Sequence, residues 1–290
     1  MAILQAAPRF PNAHLLRSTA LLAGLALAGC ETVGQSSVAV DPQVYAAQQV
    51  NIASLSTVVE NNPSDPEAYN TRGVAQARLG KYREAIEDFT QALQRDPRFA
   101  KAYSNRALAH RELGNTDAAL QDYERAIQSD PAYAPALVGR GNVYRQANQF
   151  PLALADYQRA IEIDRTNAQA FHNRGLIYQA QGQHQFAIDD FTAAIAADVN
   201  AAPPHIARGT SYLALGDGRT AAEDFTAAIN LDAQNVDAWT GRGLAYEMAG
   251  DQERARGSLS RALQIDNGNE QARQAFARVG GQYGQSYAIR

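Results

Sequence analysis

From Pro66 onward, apolar residues in this 290-residue chain recur at spacings of three and four, the mark of one buried face on an α-helix. The apolar stretches are punctuated by Gly80, Gly114, Asn148, Gly182, Gly216 and Gly250. Glycine and asparagine tolerate the left-handed conformation that ends a helix, so the pattern predicts pairs of helices joined by tight turns. The whole pattern then repeats every 34 residues. On that period one column is alanine throughout (Ala85, Ala119, Ala153, Ala187, Ala221, Ala255), and so is another (Ala92, Ala126, Ala160, Ala194, Ala228, Ala262). Between them runs a bulky column of Phe89, Tyr123, Tyr157, Phe191, Phe225 and Leu259. Small residues at fixed points let helices approach, and the ring fills the gap they leave. One such unit cannot bury its apolar face alone, so stability has to come from stacking on neighbours.

Polar columns keep the same phase. Arg72, Arg106, Arg140, Arg174, Arg208 and Arg242 recur, each followed by a small residue: Gly73, Ala107, Gly141, Gly175, Gly209, Gly243. Two acidic columns accompany them. One is Asp88, Asp122, Asp156, Asp190 and Asp224, with Ser258 in the sixth place; the other is Asp96, Asp130, Asp164, Asp198, Asp232 and Asp266. A residue repeated in every unit serves the fold before it serves a ligand. The arginines are therefore expected to form a structural ladder with one acidic column, and an arginine-lined anion groove is the competing reading.

The stretch "AKAYSNRALAHRELGNTDAALQDYERAIQSDP" resembles the tetratricopeptide repeat (TPR) family. Two departures stand out: the family's leucine is arginine in every unit, and its closing proline appears only as Pro97 and Pro131. The resemblance implies an all-α, right-handed superhelical solenoid of six helix-turn-helix units, 66–99, 100–133, 134–167, 168–201, 202–235 and 236–269. Residues 44–63 would form an N-terminal capping helix or half-repeat, 270–279 a C-terminal capping helix, and 280–290 a flexible tail. In this family the first helix of each unit lines a concave groove. The matching outward positions here carry Lys101, Asn105, Arg111, Asn142, Arg145, His172, Asn173 and Gln179, a set able to read the backbone and acidic side chains of an extended segment. Farther along, the same face holds Thr210, Ala214, Asp237 and Glu247. The chaperone-type carboxylate clamp is absent, because its places hold Asn70, Val74, Asn105, Pro135 and Gly139 and only Asn105 fits.

The N-terminus reads differently. Arg9 and Arg17 precede the uncharged run "STALLAGLALAG", which is too short to span a bilayer but has the length of a signal-peptide core. Leu27-Ala28-Gly29-Cys30 then resembles the lipobox of bacterial lipoproteins and contains the chain's single cysteine. The resemblance implies a signal peptide over 1–29, lipidation of Cys30, a flexible tether over 30–43, and attachment to the bacterial envelope facing the periplasm. Acyl chains on one cysteine suffice for stable anchoring. Glu31 in the second mature position favours the outer membrane over the inner.

Charge and chemistry narrow the function. With 26 basic and 30 acidic residues the net charge is −4, which gives no footprint for nucleic acid. No nucleophile elbow, phosphate-cradling loop or metal-spaced histidines occur, so no catalytic residue, metal site or cofactor is expected and the chain reads as a non-enzyme. The expected partners are proteins or extended peptide segments in the periplasm. The resemblance extends to envelope scaffold lipoproteins of NlpI type, which implies an adaptor that gathers cell-wall hydrolases or proteases. Pilotin-like lipoproteins, which help an outer-membrane secretin or type IV pilus assemble, are the alternative. The apolar segment Val44 to Val59 is the candidate surface for a homodimer.

Overall fold

The computed structural model describes residues 42–288, with side chains from Asn51 onward. The signal peptide, Cys30 and nearly all of the tether lie outside the described residues. Within them every regular element is a helix. A leading helix α1 (Pro42–Asn61) is followed by six pairs. These are α2 (Pro66–Arg78) with α3 (Tyr82–Arg95), α4 (Ala100–Glu112) with α5 (Thr116–Ser129), and α6 (Ala134–Gln146) with α7 (Phe150–Ile163). Then come α8 (Ala168–Ala180) with α9 (His184–Ala197), α10 (Ala202–Ala214) with α11 (Gly218–Leu231), and α12 (Val236–Met248) with α13 (Gln252–Ile265). A short α14 (Glu270–Arg278) follows, and the array is an all-α repeat solenoid.

Each turn inside a unit is set by one left-handed residue. Gly80 has φ +72°, and the Lys81 N–H donates to the Gln76 carbonyl at 3.0 Å, closing the end of α2. Asn148 does the same work without being glycine, at φ 56°, with the Gln149 N–H on the Tyr144 carbonyl at 2.8 Å. The turns between units use the second acidic column. The Asp96 carboxylate accepts from the Arg98 N–H at 2.9 Å, and Asp130, Asp164, Asp198, Asp232 and Asp266 repeat that bond at 2.8–3.1 Å. An aspartate that caps its own turn fixes the reversal without proline, which is why proline can be absent from the later units.

The arginine column binds the first acidic column. Arg72 meets Asp88 through two parallel bonds of 2.8 and 2.6 Å, and Arg106–Asp122, Arg140–Asp156, Arg174–Asp190 and Arg208–Asp224 keep the same fork at 2.6–2.9 Å. The remaining guanidinium nitrogen reaches back to the preceding unit: Arg72 to Ser56 at 3.3 Å, Arg106 to Thr90 at 2.9 Å, Arg208 to Thr192 at 2.9 Å, and Arg174 to Gln158. One side chain thus joins three helices. The hydrogen bond to its aspartate raises the pKa of Arg72, Arg140, Arg174 and Arg208, so these guanidiniums stay charged. Ser56 on α1 stands where Thr90 stands one unit later, so α1 serves the first pair as a preceding second helix.

The sixth rung is different. Ser258 replaces the aspartate, and Arg242 keeps one bond to its hydroxyl at 3.1 Å while its Nη2 is buried with no partner. Burial, and then the nearby charge of Arg254, lower the Arg242 pKa. Arg242 is 6 % exposed, and its guanidinium lies over the Trp239 ring at 4.4 Å.

The core follows the small and bulky columns. Both alanine columns are fully buried, and Phe89, Tyr123, Tyr157, Phe191, Phe225 and Leu259 are buried beside them. Each bulky side chain contributes about 1.5–3 kcal/mol by leaving water. Gly141 shows how close the helices lie, because a Cβ there would stand 2.7 Å from the Tyr157 ring. Residues 280–290, expected to be a flexible tail, are described as far as Ala288 and fold back on α14: Tyr283 and Tyr287 meet Phe276 edge-on, each at 5.5 Å.

Candidate functional site

The first helices of successive units touch one another along the array, α2 with α4, α4 with α6, α6 with α8, α8 with α10 and α10 with α12. Among the described residues, successive second helices make no such contact. The first helices therefore lie on the inside of the curve, and their outward side chains form the concave face. That face is built from columns that differ between units, where chemistry can vary without disturbing the stack.

The expected groove residues divide into two groups there. Some are held by the solenoid itself. Lys101 pairs with Glu67 one unit back at 3.0 Å, and Asn105 donates to Asn70 at 2.8 Å. The Gln179 amide donates to the Ala207 carbonyl and the Ser211 hydroxyl, both at 2.8 Å, tying α8 to α10. Arg111 lies against its neighbour Glu112 at 2.9 Å. Asn173 is half-buried on α8.

Unit three, with His172 from unit four, carries the second group. Its bulky residue is Tyr157, whose hydroxyl donates to the Asn142 side-chain carbonyl at 2.7 Å and lies within reach of the Arg145 charge. Burial pushes the Tyr157 pKa up to about 12 against the pull of Arg145, so the hydroxyl keeps its proton at neutral pH. Arg145 is half-buried, its Nε has no partner, and no carboxylate among the described residues pairs with it. His172 on α8 faces it, with its ring 5.6 Å from Phe191 and its Nδ1 buried without a partner. Burial, and then the Arg145 charge, lower the His172 pKa to about 4, so the imidazole is neutral. Asn142 interrupts a column that is otherwise Val74, Leu108, Leu176, Thr210 and Leu244.

Beside this polar centre the face is apolar. Val74, Ala77, Tyr82, Phe89, Leu108 and Ala109 line a cavity of about 350 Å³ between α2 and α4, with Arg78, Asn105 and Glu112 also contributing. Sequence reasoning missed the cavity and Tyr157. The available signal was tyrosine in place of phenylalanine in the bulky column, at Tyr123 and Tyr157 alone. Among the described residues no cluster of three or more His, Cys, Asp or Glu is placed to hold a metal ion.

A family model described as tetratricopeptide repeat matches residues 52–97, 70–134 and 206–279, more than half of the chain. The chain belongs to the tetratricopeptide repeat family. Two further TPR models match residues 141–182 and 168–198. No curated protein matches it. Among solved structures, it is similar to Pseudomonas aeruginosa pilF at 17 % identity, covering 73 % of this chain and 97 % of that one with a TM-score of 0.67. YrrB, described as a TPR protein with an unusual peptide-binding site, is 24 % identical over 66 % of this chain and 98 % of its own, with a TM-score of 0.56. The Cut9–Hcn1 hetero-tetramer of the APC/C gives 18 % identity and a TM-score of 0.67 over 82 % of this chain, which spans less than half (46 %) of the matched one. These likenesses concern the fold. As a TPR solenoid, the protein is a scaffold for protein–protein contact.

Proposed function

We propose that this TPR protein is a lipid-anchored adaptor of the bacterial envelope that binds segments of periplasmic proteins on its concave face. One observation carries the binding half of this reading: Arg145, half-buried at the middle of that face, has no carboxylate partner, whereas five of the six ladder arginines are paired. A cation held in place without its counter-ion is prepared for a partner that brings one. The anchoring half rests on Leu27-Ala28-Gly29-Cys30, with Glu31 favouring the outer membrane. YrrB supports peptide as the kind of ligand such a solenoid takes. By analogy with envelope scaffold lipoproteins, the partners are cell-wall hydrolases or proteases.

The test is a crosslinked pull-down from native envelopes, comparing the wild type with Arg111→Glu/Arg145→Glu, beside fractionation of Cys30→Ala. The adaptor reading expects Cys30→Ala to leave the membrane fraction, and hydrolases or proteases to be recovered by the wild type and lost by the groove variant. Recovery of a secretin instead would assign the protein to pilotin-like assembly. Identical partner sets for both proteins would remove the concave face as the binding surface.

A further inference from the structure

The polar centre of the concave face presents only one kind of group. Asn142 spends its side-chain carbonyl on the Tyr157 hydroxyl, which leaves its amide as a donor. Arg145 has nothing but donors, and its charge acts on the Tyr157 hydroxyl nearby. His172, held neutral, has one ring N–H to give. Arg111 adds a second cation one unit away, close enough to act on the Tyr157 hydroxyl. Three side chains from α6 and α8 thus offer hydrogen atoms, and none of them meets a carboxylate of this chain. Such a constellation is matched by an acceptor carrying negative charge.

Resting on the groove reading above, we infer that Asn142, Arg145 and His172 form a subsite for a glutamate or aspartate side chain of an extended partner segment. We place a bulky apolar side chain of the same segment in the cavity between α2 and α4. Val74, Ala77, Tyr82, Phe89, Leu108 and Ala109 make most of the cavity wall apolar, and its two charged members, Arg78 and Glu112, are of opposite sign. Leu108, 42 % exposed, is the bridge between the two places: it lines the cavity and occupies on α4 the position that Asn142 occupies on α6. Packed helices lie about 8–10 Å apart and an extended chain advances about 3.3 Å per residue, so one unit is spanned by roughly three residues. The cavity lies between units one and two, Asn142 and Arg145 lie in unit three and His172 in unit four, so the two places are one and a half to two units apart. The apolar and acidic residues of the partner are therefore roughly four to six positions apart.

A nucleic acid would meet few cations here, and it offers no isolated apolar side chain for the cavity. The inference thus names a peptide.

The test is selection from a displayed library of random twelve-residue peptides on the purified full-length protein, run in parallel on Arg145→Gln and on Asn142→Leu. Both replacements sit at half-buried positions, and their melting temperatures are recorded first. The wild type is expected to enrich Asp or Glu about four to six positions from a bulky apolar residue. For a selected peptide, acid-to-amide replacement is expected to weaken wild-type binding by tenfold or more, the scale of a charge-assisted hydrogen bond. On a folded Arg145→Gln protein that discrimination should vanish while the apolar preference stays. Enrichment without acidic excess, or acidic excess that survives both substitutions, would overturn the subsite and leave the groove reading standing. Failure of the wild type to enrich any peptide would overturn both.

Discussion

Ser258→Asp is expected to stabilise the C-terminal end of the solenoid. In the five complete rungs the aspartate binds its arginine through two bonds of 2.6–2.9 Å, and both partners are largely shielded from water. Arg242 has the same backbone setting, but its Nη2 is orphaned and it is more buried than its counterparts. Removing one partner of a buried pair costs about 3–5 kcal/mol, because the survivor is left charged and dry. Trp239, 4.4 Å below the guanidinium, already returns part of that, about 1–2 kcal/mol for a desolvated cation over a ring. The difference, about 2 kcal/mol, is the expected gain when the carboxylate is supplied. Because each repeat touches only its neighbours, the gain should stay local to the last units.

Amide hydrogen exchange reads this directly. Protection in α12 and α13 should rise by roughly thirtyfold, since about 1.4 kcal/mol is a factor of ten. Helices α2 to α5 should not change. The reverse substitution, Asp156→Ser, should reproduce the defect in unit three and loosen α6 and α7. If Ser258→Asp left exchange in α12 and α13 unchanged or faster, desolvation of the new carboxylate would outweigh the pairing. The ladder would then specify register without adding stability. A uniform rise along the whole chain would refute the local, repeat-by-repeat account.

Acid should destabilise unit four, where it packs on unit three, through His172. Its pKa falls from 6.5 unfolded to about 4 folded, so the unfolded chain takes the proton first. The associated stability is complete above about pH 6.5 and declines toward pH 4, by up to about 2–3 kcal/mol. Urea midpoints of His172→Val, subtracted from wild type across that window, should show this slope and no other difference in it. Gly141→Ala would drive a methyl to 2.7 Å from the Tyr157 ring, and a loss of about 1–3 kcal/mol is expected in a denaturant melt. Asn148→Gly should be neutral to stabilising by about 1 kcal/mol, since the residue already sits at φ 56°, where a side chain is strained; a lower melting temperature would show that the Asn148 side chain has a role of its own. Arg140→Leu should destabilise the fold by about 3–5 kcal/mol, read as a sharp fall in melting temperature, because Asp156 stays buried without its partner.

The repeat was legible because the solenoid demands the same residue wherever the same contact recurs. Period, turn residues and buried columns are all legible in the residues alone, since each is a packing requirement stated six times. The sequence offered two acidic columns to the arginines and could not choose between them. Geometry chooses: sixteen residues separate Arg72 from Asp88 and carry the chain once around the intra-unit turn, whereas Asp96 sits past the end of α3 and binds its own turn. Ser258 was visible as an exception, but its consequence needed the burial of Arg242. Among the groove residues, Lys101 and Gln179 looked free because their partners, Glu67 and Ser211, lie about one unit away in sequence and meet them only once the units stack.

What the repeat cannot encode is where it stops being a repeat. A column that is aliphatic or threonine in five units and amide at Asn142 carries no packing advantage, since an amide in an apolar row must find its own hydrogen bond. Tyr157 provides that bond, and the Arg145 charge lies near its hydroxyl. Asn142 and Tyr157 depend on one another. Leucine at 142 would orphan the hydroxyl, and phenylalanine at 157 would orphan the amide. The unit could have used leucine and phenylalanine, as unit four does with Leu176 and Phe191 at the same two places. Retaining a linked polar set at the centre of the concave face gives the stack nothing it lacks, and this is the physical argument for assigning that set to a partner.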